Sequence, residues 1–260
     1  MVLPLPLKDD NPTRTKSLVT WAIIAVCVYV FAFVQPRGNS AEETEFIVEH
    51  AAIPCEVVNG QPISNSLSTR CDRKLIAPEL PAQQEFFPDK NIWLSIFYSM
   101  FLHGSWPHLL GNMLFLWIFG NNVEDRFRKV PYTAFYLVCG IAAAVAHIAT
   151  QPSSTTPVVG ASGAIAGVMG AYLVLFPRAR ILTMVIIIFF IQFIYLPAFV
   201  VLLGWFVMQF FTNPNTGVAV AAHIGGFVVG AGLTLLARPY LGSRPTPPAP
   251  DFGFGGSPYR

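Results

Sequence analysis

"GASGAIAG", residues Gly160 to Gly167, sets one hydroxyl among small residues at the head of an apolar segment. Two readings of Ser162 are open: a packing residue that lets another helix come close, or a nucleophile placed inside a membrane. What surrounds the segment bears on the choice. Hydrophobic residues make up 53% of the 260-residue chain and charged residues only 12%. That balance belongs to an integral membrane protein rather than to a soluble domain.

Apolar stretches run over Ser17–Gln35, Pro107–Asn121, Pro131–Thr150, Ala161–Phe176, Ile181–Phe211 and Thr216–Ala237. A helix needs roughly 20 apolar residues to cross a bilayer, and shorter ones manage by thinning it. Ile181–Phe211 is too long for one crossing and is interrupted by Pro197. It is either a re-entrant or surface-lying piece followed by one helix from about Leu196, or two short crossings. Charge separates these. With six spans and the N-terminus inside, Lys8, Arg14, Lys16, Arg126, Arg128, Lys129, Arg178, Arg180, Arg238 and Arg244 all fall on the inner side. The short outer loops around 150–159 and 212–217 hold no Lys or Arg. This is the positive-inside pattern, and a seventh span would break it. The expectation is an all-α integral membrane protein, a bundle of six transmembrane helices.

Three regions follow: an inner N-terminal segment, 1–16; a six-span domain, 17–238, including a long outer loop at 36–92; and a Pro- and Gly-rich disordered tail, 239–260. The first span has too long an apolar core for a signal peptide, and no small-x-small site follows it. It reads as a retained helix. The outer loop carries Cys55 and Cys71, which are expected to pair in an oxidising compartment. Cys27 and Cys139 lie in spans and read as small hydrophobes.

Polar groups inside the spans are few, and each needs a reason. They are His103, His108, Asn112, His147, Ser162 and His223. In "HGSWPHLLGNM", Ser105 reads as an N-cap and Pro107 as a first-turn residue, which puts His108 and Asn112 on one face, four apart. Helices two, four and six all run from outside to inside under six-span topology. They therefore deliver His108 and Asn112, Ser162 and His223 to a similar depth near the outer surface. Gly163 with Gly167, and Gly226 with Gly230, form two G-x-x-x-G pairs that let membrane helices approach closely. His147 has no motif partner and reads as structural or loop-facing. His103 reads as a residue that positions the first loop or caps the second helix.

Together, "HGSWPHLLGNM", "GASGAIAG" and "AHIGG" resemble the rhomboid family of intramembrane serine proteases, over roughly Trp93 to Ala237. The resemblance implies a rhomboid-like bundle with a first loop partly embedded in the outer leaflet. It implies Ser162 as nucleophile, His223 as its base, and His108 and Asn112 as oxyanion-stabilising side chains beside the Ser162 backbone N–H. Glu124 and Arg126, in "VEDR", match a structural acidic-x-Arg pair. Trp205 and Gln209, at i and i+4 on the fifth helix, fall on a lateral gate by family analogy alone. One departure stands out. Where family members often carry an aromatic four positions after the serine, this chain has Ala166.

No span offers an Asp or Glu at the depth of His223, so a Ser–His dyad is expected rather than a triad. No H-e-x-x-H zinc motif, pair of embedded Asp residues or lysine within a span supports another membrane-protease chemistry. No metal or other cofactor and no nucleic-acid partner is expected; the partners are transmembrane protein substrates and the lipid bilayer. An inactive client-binding relative would have lost Ser162 or His223, and both are present. A transporter would show charges or broken helices at mid-membrane. The location expected is a bacterial-type cytoplasmic membrane, multi-pass, with both termini cytoplasmic.

Overall fold

The computed structural model describes residues 3–64, 67, 71, 85–187, 190–213 and 218–241. Most of the tail, 242–260, and residues 214–217 of the last outer loop lie outside them. In chain order the elements are β1 (Leu3–Asp9), α1 (Leu18–Tyr29), α2 (Ser40–His50), α3 (Pro54–Asn59), α4 (Leu94–Ser99), α5 (Trp106–Phe115), α6 (Asn121–Phe127), α7 (Lys129–Thr150), α8 (Ser162–Leu175), β2 (Arg180–Ile187), β3 (Phe190–Pro197), α9 (Ala198–Gln209) and α10 (Val220–Ala237). Wide π turns at Val30–Val34 and Leu116–Gly120 extend α1 and join α5 to α6.

α7 and α10 are long and apolar enough to cross a bilayer unaided. Leu18–Val34, α8 and α9 are apolar but shorter. α8 packs between α7 and α10 at backbone distance. A methyl added at Gly226 would collide with the Gly163 carbonyl oxygen, and one at Gly230 with that of Gly167. Gly163 and Gly167 turn their own open sides to Ala143 and Cys139 of α7, where an added Cβ would lie 2.5 Å from each Cβ. Gly170 repeats the device against the Phe227 carbonyl. Three helices are thereby locked by contacts that leave no room for a side chain. Dispersion and close packing hold such contacts where lipid supplies no hydrophobic drive.

The N-terminal end of α1 is held by a carboxylate from another helix. Glu124 accepts from the Val19 and Thr20 backbone N–H groups at 3.0 and 2.8 Å and from Thr20 Oγ1 at 2.8 Å. Ser17 makes no side-chain cap bond. Glu124 thus satisfies donors that a helix start leaves orphaned. Asp125 Oδ1 accepts from Thr15 N at 2.9 Å and Oγ1 at 2.6 Å, fastening the residues just before.

Two expectations are corrected. The chain is not all-α: β1, β2 and β3 form an antiparallel sheet in that order, so the N-terminal segment 1–16 contains a strand. The Ile181–Tyr195 stretch, expected as a re-entrant or surface-lying piece before a helix, is a β-hairpin, and α9 begins just after it. Its run of Ile, Phe, Val and Thr favours extended backbone, and β1 supplies the third strand. Nor is 36–92 simply a loop. It carries α2 and α3 and a cluster of Val48, Ile53, Cys55, Ile63 and Leu67, against which Cys71, Phe86 and Phe87 pack. Cys55 and Cys71 are disulfide-bonded. Lys90 Nζ, buried, pairs with Glu56 Oε2 at 2.6 Å and donates to the Val48 and Ala51 carbonyls. Burial pushes the Glu56 carboxyl up and the Lys90 ammonium down, and each partner's charge opposes that.

Candidate active site

The cap formed by 36–92 grips the loop that precedes α8. Cys55 N donates to Ser154 O at 3.0 Å, and Val158 N to Ala52 O at 2.8 Å. Ser99 joins both, its Oγ accepting from Ala52 N and its carbonyl from Gly160 N, each at 2.8 Å. Gly160 has φ +121°, a conformation that L side chains rarely adopt. An added Cβ there would also meet the His108 ring, with Nε2 at 2.9 Å and Asn112 Nδ2 at 3.6 Å. The glycine lets the chain pass against both side chains before α8 starts at Ser162. Neither the turn nor its close approach was read from the sequence, although Gly160 stands inside the quoted motif.

Ser105 caps α5 by accepting from His108 N at 3.3 Å, with Pro107 in the first turn. His108 and Asn112 thus project from the first two turns toward Gly160. Asn112 is buried, and its Nδ2 has no hydrogen-bond partner. An unpaired buried donor is costly. His103 does not cap the helix. Its backbone N–H and C=O exchange two hydrogen bonds with the Gln35 side chain, both 3.0 Å, tying the end of the first span to this turn.

Ser162 Oγ lies 2.9 Å from His223 Nε2. Ser162 is the first residue of α8, and His223 falls in the first turn of α10, nearer its start than the sequence suggested. The Gly163–Gly226 contact one residue beyond Ser162 sets the separation of the two side chains. The other ring nitrogen, Nδ1, is 2.8 Å from Gln209 Oε1, and Gln209 Nε2 donates to the Trp205 carbonyl at 3.2 Å. That second bond fixes the amide's orientation, which fixes the tautomer. Oε1 can only accept, so Nδ1 carries the proton and Nε2 presents its lone pair to the serine. The Trp205 ring lies against the imidazole, centroids 5.6 Å apart. Trp205 and Gln209, expected at a lateral gate, thus both touch the histidine from α9. They occupy its flank in a chain where Ala166, fully buried, offers no ring.

A cavity of about 760 Å³ opens over this cluster, lined among others by His108, Asn112, His147, Ser162, Trp205 and His223. His147, read from sequence as structural or loop-facing, is 7% exposed, and its Nδ1 has no partner. No motif could have placed it here; only the approach of the end of α7 to the site does. Arg126 projects from α6 at the far end of the bundle, beside Glu124 and Asp125. Among the described residues no cluster of three or more His, Cys, Asp or Glu side chains could hold a metal ion.

The Rhomboid domain family matches residues 90–240, more than half of the chain. RHOMBOID-like protein 5 of Arabidopsis thaliana is 29% identical over 203 residues, covering 74% of this chain and 60% of that protein. The Rhomboid protease GluP of Bacillus subtilis is 30% identical over 179 residues, 66% of this chain and 29% of the relative. Rhomboid protein 1, mitochondrial, of Saccharomyces cerevisiae is 34% identical over 96 residues, 35% of this chain and 28% of the relative. In each case the chain accounts for 60% or less of the relative's length. The chain belongs to the rhomboid family of integral membrane proteins.

Proposed function

We propose that the chain is an intramembrane serine endopeptidase that hydrolyses peptide bonds of transmembrane proteins near the outer membrane face, through Ser162 and His223. The observation that carries this is the 2.9 Å contact between Ser162 Oγ and the unprotonated nitrogen of an imidazole held from behind by Gln209. A serine hydroxyl is a weak nucleophile until a base takes its proton, and His223 Nε2 stands where that base is needed. As Oγ bonds to the substrate carbonyl carbon, its proton passes to Nε2 and the carbonyl oxygen becomes an anion. The Ser162 backbone N–H, Asn112 Nδ2 and a ring N–H of His108 would donate to it, and the start of α8 adds positive potential. His223 then gives its proton to the departing amine. Water entering the cavity repeats the sequence on the acyl-enzyme.

Gln209 takes the place that a carboxylate occupies in a triad. It orients the ring and selects the tautomer without bringing a charge into an apolar site, which would be costly. The topology we propose has six spans, formed by the segments that begin at Leu18, Trp106, Lys129, Ser162, Ala198 and Val220. Both termini lie on the cytoplasmic side of a bacterial-type cytoplasmic membrane. Substrates are single-span proteins whose helix unwinds readily near its outer end, because a helix hides its carbonyls in hydrogen bonds. Purified chain incubated with such a substrate should cleave it, and Ser162→Ala should abolish cleavage. Equal cleavage by both would remove the mechanism, and binding without cleavage by either would make the chain a client-binding protein.

A further inference from the structure

The sheet lies at the end of the bundle opposite Ser162. Asp9, in β1, is buried and accepts from Tyr172 Oη, ten residues along α8 from the serine, at 2.8 Å and from Asn122 Nδ2 of α6. Residues directly opposite one another in a ladder share a face. On one face Ile181, Thr183 and Val185 of β2 are buried, and Ile181 belongs to the main core. The other face presents a row of Leu5, Met184 and Phe193 and a second of Lys8, Leu182 and Tyr195. Arg180, two residues before Leu182, shares that face. Along the outer strand Ile191, Phe193 and Tyr195 are 55%, 60% and 47% exposed. From Ile181 to Pro197 the hairpin carries no charge, although exposed edge strands usually carry charges that keep them from sticking.

We propose that this open face docks on the inner leaflet of the bilayer. Its apolar rows contact the acyl region, and Lys8 meets the headgroups of anionic phospholipids. Two observations select lipid as the occupant. The face is continuous with α9, which follows β3 directly at Pro197 and exposes Phe199, Val200 and Leu203 from the next residues. Lys8 stands at the end nearest the bundle, where the inner headgroups lie under positive-inside topology, and basic side chains there attract anionic lipid. An apolar face with a cationic rim and an aromatic residue at the boundary is the pattern of an interfacial element.

The test places a spin label at Phe193→Cys in the full chain, reconstituted in nanodiscs of zwitterionic lipid with and without anionic phospholipid. The unsubstituted chain, whose free Cys27 and Cys139 are buried, serves as the blank. Glu42→Cys, on an exposed turn of the outer cap, is the water-facing reference. Collision with oxygen relative to a water-soluble nickel chelate should be several-fold higher at 193 than at 42. It should rise further with anionic lipid, and Lys8→Glu should cancel that rise. Equal accessibility at 193 and 42 would overturn the proposal, as would spin–spin broadening that assigns the face to a second copy. Tyr195→Cys repeats the measurement should Phe193→Cys fail to fold. The readout involves no cleavage, so an inactive chain would leave this inference intact.

Discussion

Replacing Gln209 by Leu tests the site at the bond that sets its chemistry. Leu roughly conserves the volume, keeps the apolar packing and removes the one acceptor of the His223 Nδ1–H at 2.8 Å. Two terms follow. The folded state loses a hydrogen bond, and the Nδ1–H becomes a buried donor without a partner, which costs about 1–3 kcal/mol. The ring escapes part of that cost by rotating or by moving its proton to Nε2. Either escape takes the lone pair away from Ser162. The cost therefore appears in the chemical step, and at about 1.4 kcal/mol per decade it amounts to a fall of roughly tenfold to a hundredfold in kcat. KM should change little, because Gln209 touches the histidine rather than the substrate. Gln209→Glu retains an acceptor and should recover more rate than Leu at alkaline pH, where the carboxylate is ionised. The assay is cleavage of a fluorogenic single-span substrate in liposomes, beside the rate at which a fluorophosphonate labels Ser162. Labelling should fall in parallel with kcat. If Gln209→Leu keeps both rates within twofold of the parent, the tautomer argument is wrong and the imidazole is held by something else.

Other perturbations bear on different parts of the molecule. Gly226→Ala drives a methyl into the Gly163 carbonyl; overpacking of about 1–3 kcal/mol should lower the unfolding temperature by roughly 2–10 °C and remove Ser162 labelling. Gly232→Ala, which meets nothing within 4 Å, should alter neither. Replacing both Cys55 and Cys71 by Ser opens a 16-residue link and should weaken the outer cap by about 3 kcal/mol, seen as faster proteolytic nicking of 40–90 with the bundle intact. Burial lifts Asp9 from its ordinary value of 3.8 to about 7. The folded state then holds a proton that the unfolded chain releases, so attachment of β1 is firmest below pH 3.8 and weakens as pH rises toward 7. Amide protection in β1, corrected for intrinsic exchange, should be higher at pH 6 than at pH 8. It should be flat in Asp9→Asn, and protection that rises with pH would contradict the assignment.

Much of the site was legible because its residues sit in short motifs with a mechanical reason. Ser105 caps, Pro107 opens the helix, and His108 and Asn112 then share a face. The small residues after Ser162 and His223 pointed to two helices in close contact. What escaped depended on distance along the chain. Gln209 reads as one polar residue on an apolar helix, and only the packing of α9 on α10 sets it behind the imidazole. His147 was set aside because it has no neighbour in sequence, yet the cavity includes it. The hairpin escaped for a different reason. A continuous apolar run has no period, so nothing local separates a buried helix from a strand. The partner that settles the matter, Leu3–Asp9, lies more than 170 residues away in the chain.

The glycine contacts between α8 and α10 have a bearing on control. A hydroxyl and an imidazole on two bars welded at their carbonyls cannot drift apart by small degrees, since any slide of one bar past the other meets a backbone oxygen. Switching such a protein on and off by pulling its reactive pair apart would mean tearing the weld. Restraint has to be exercised at the doorway instead: on who gets in, from which side, and how far a client's helix has frayed when it arrives.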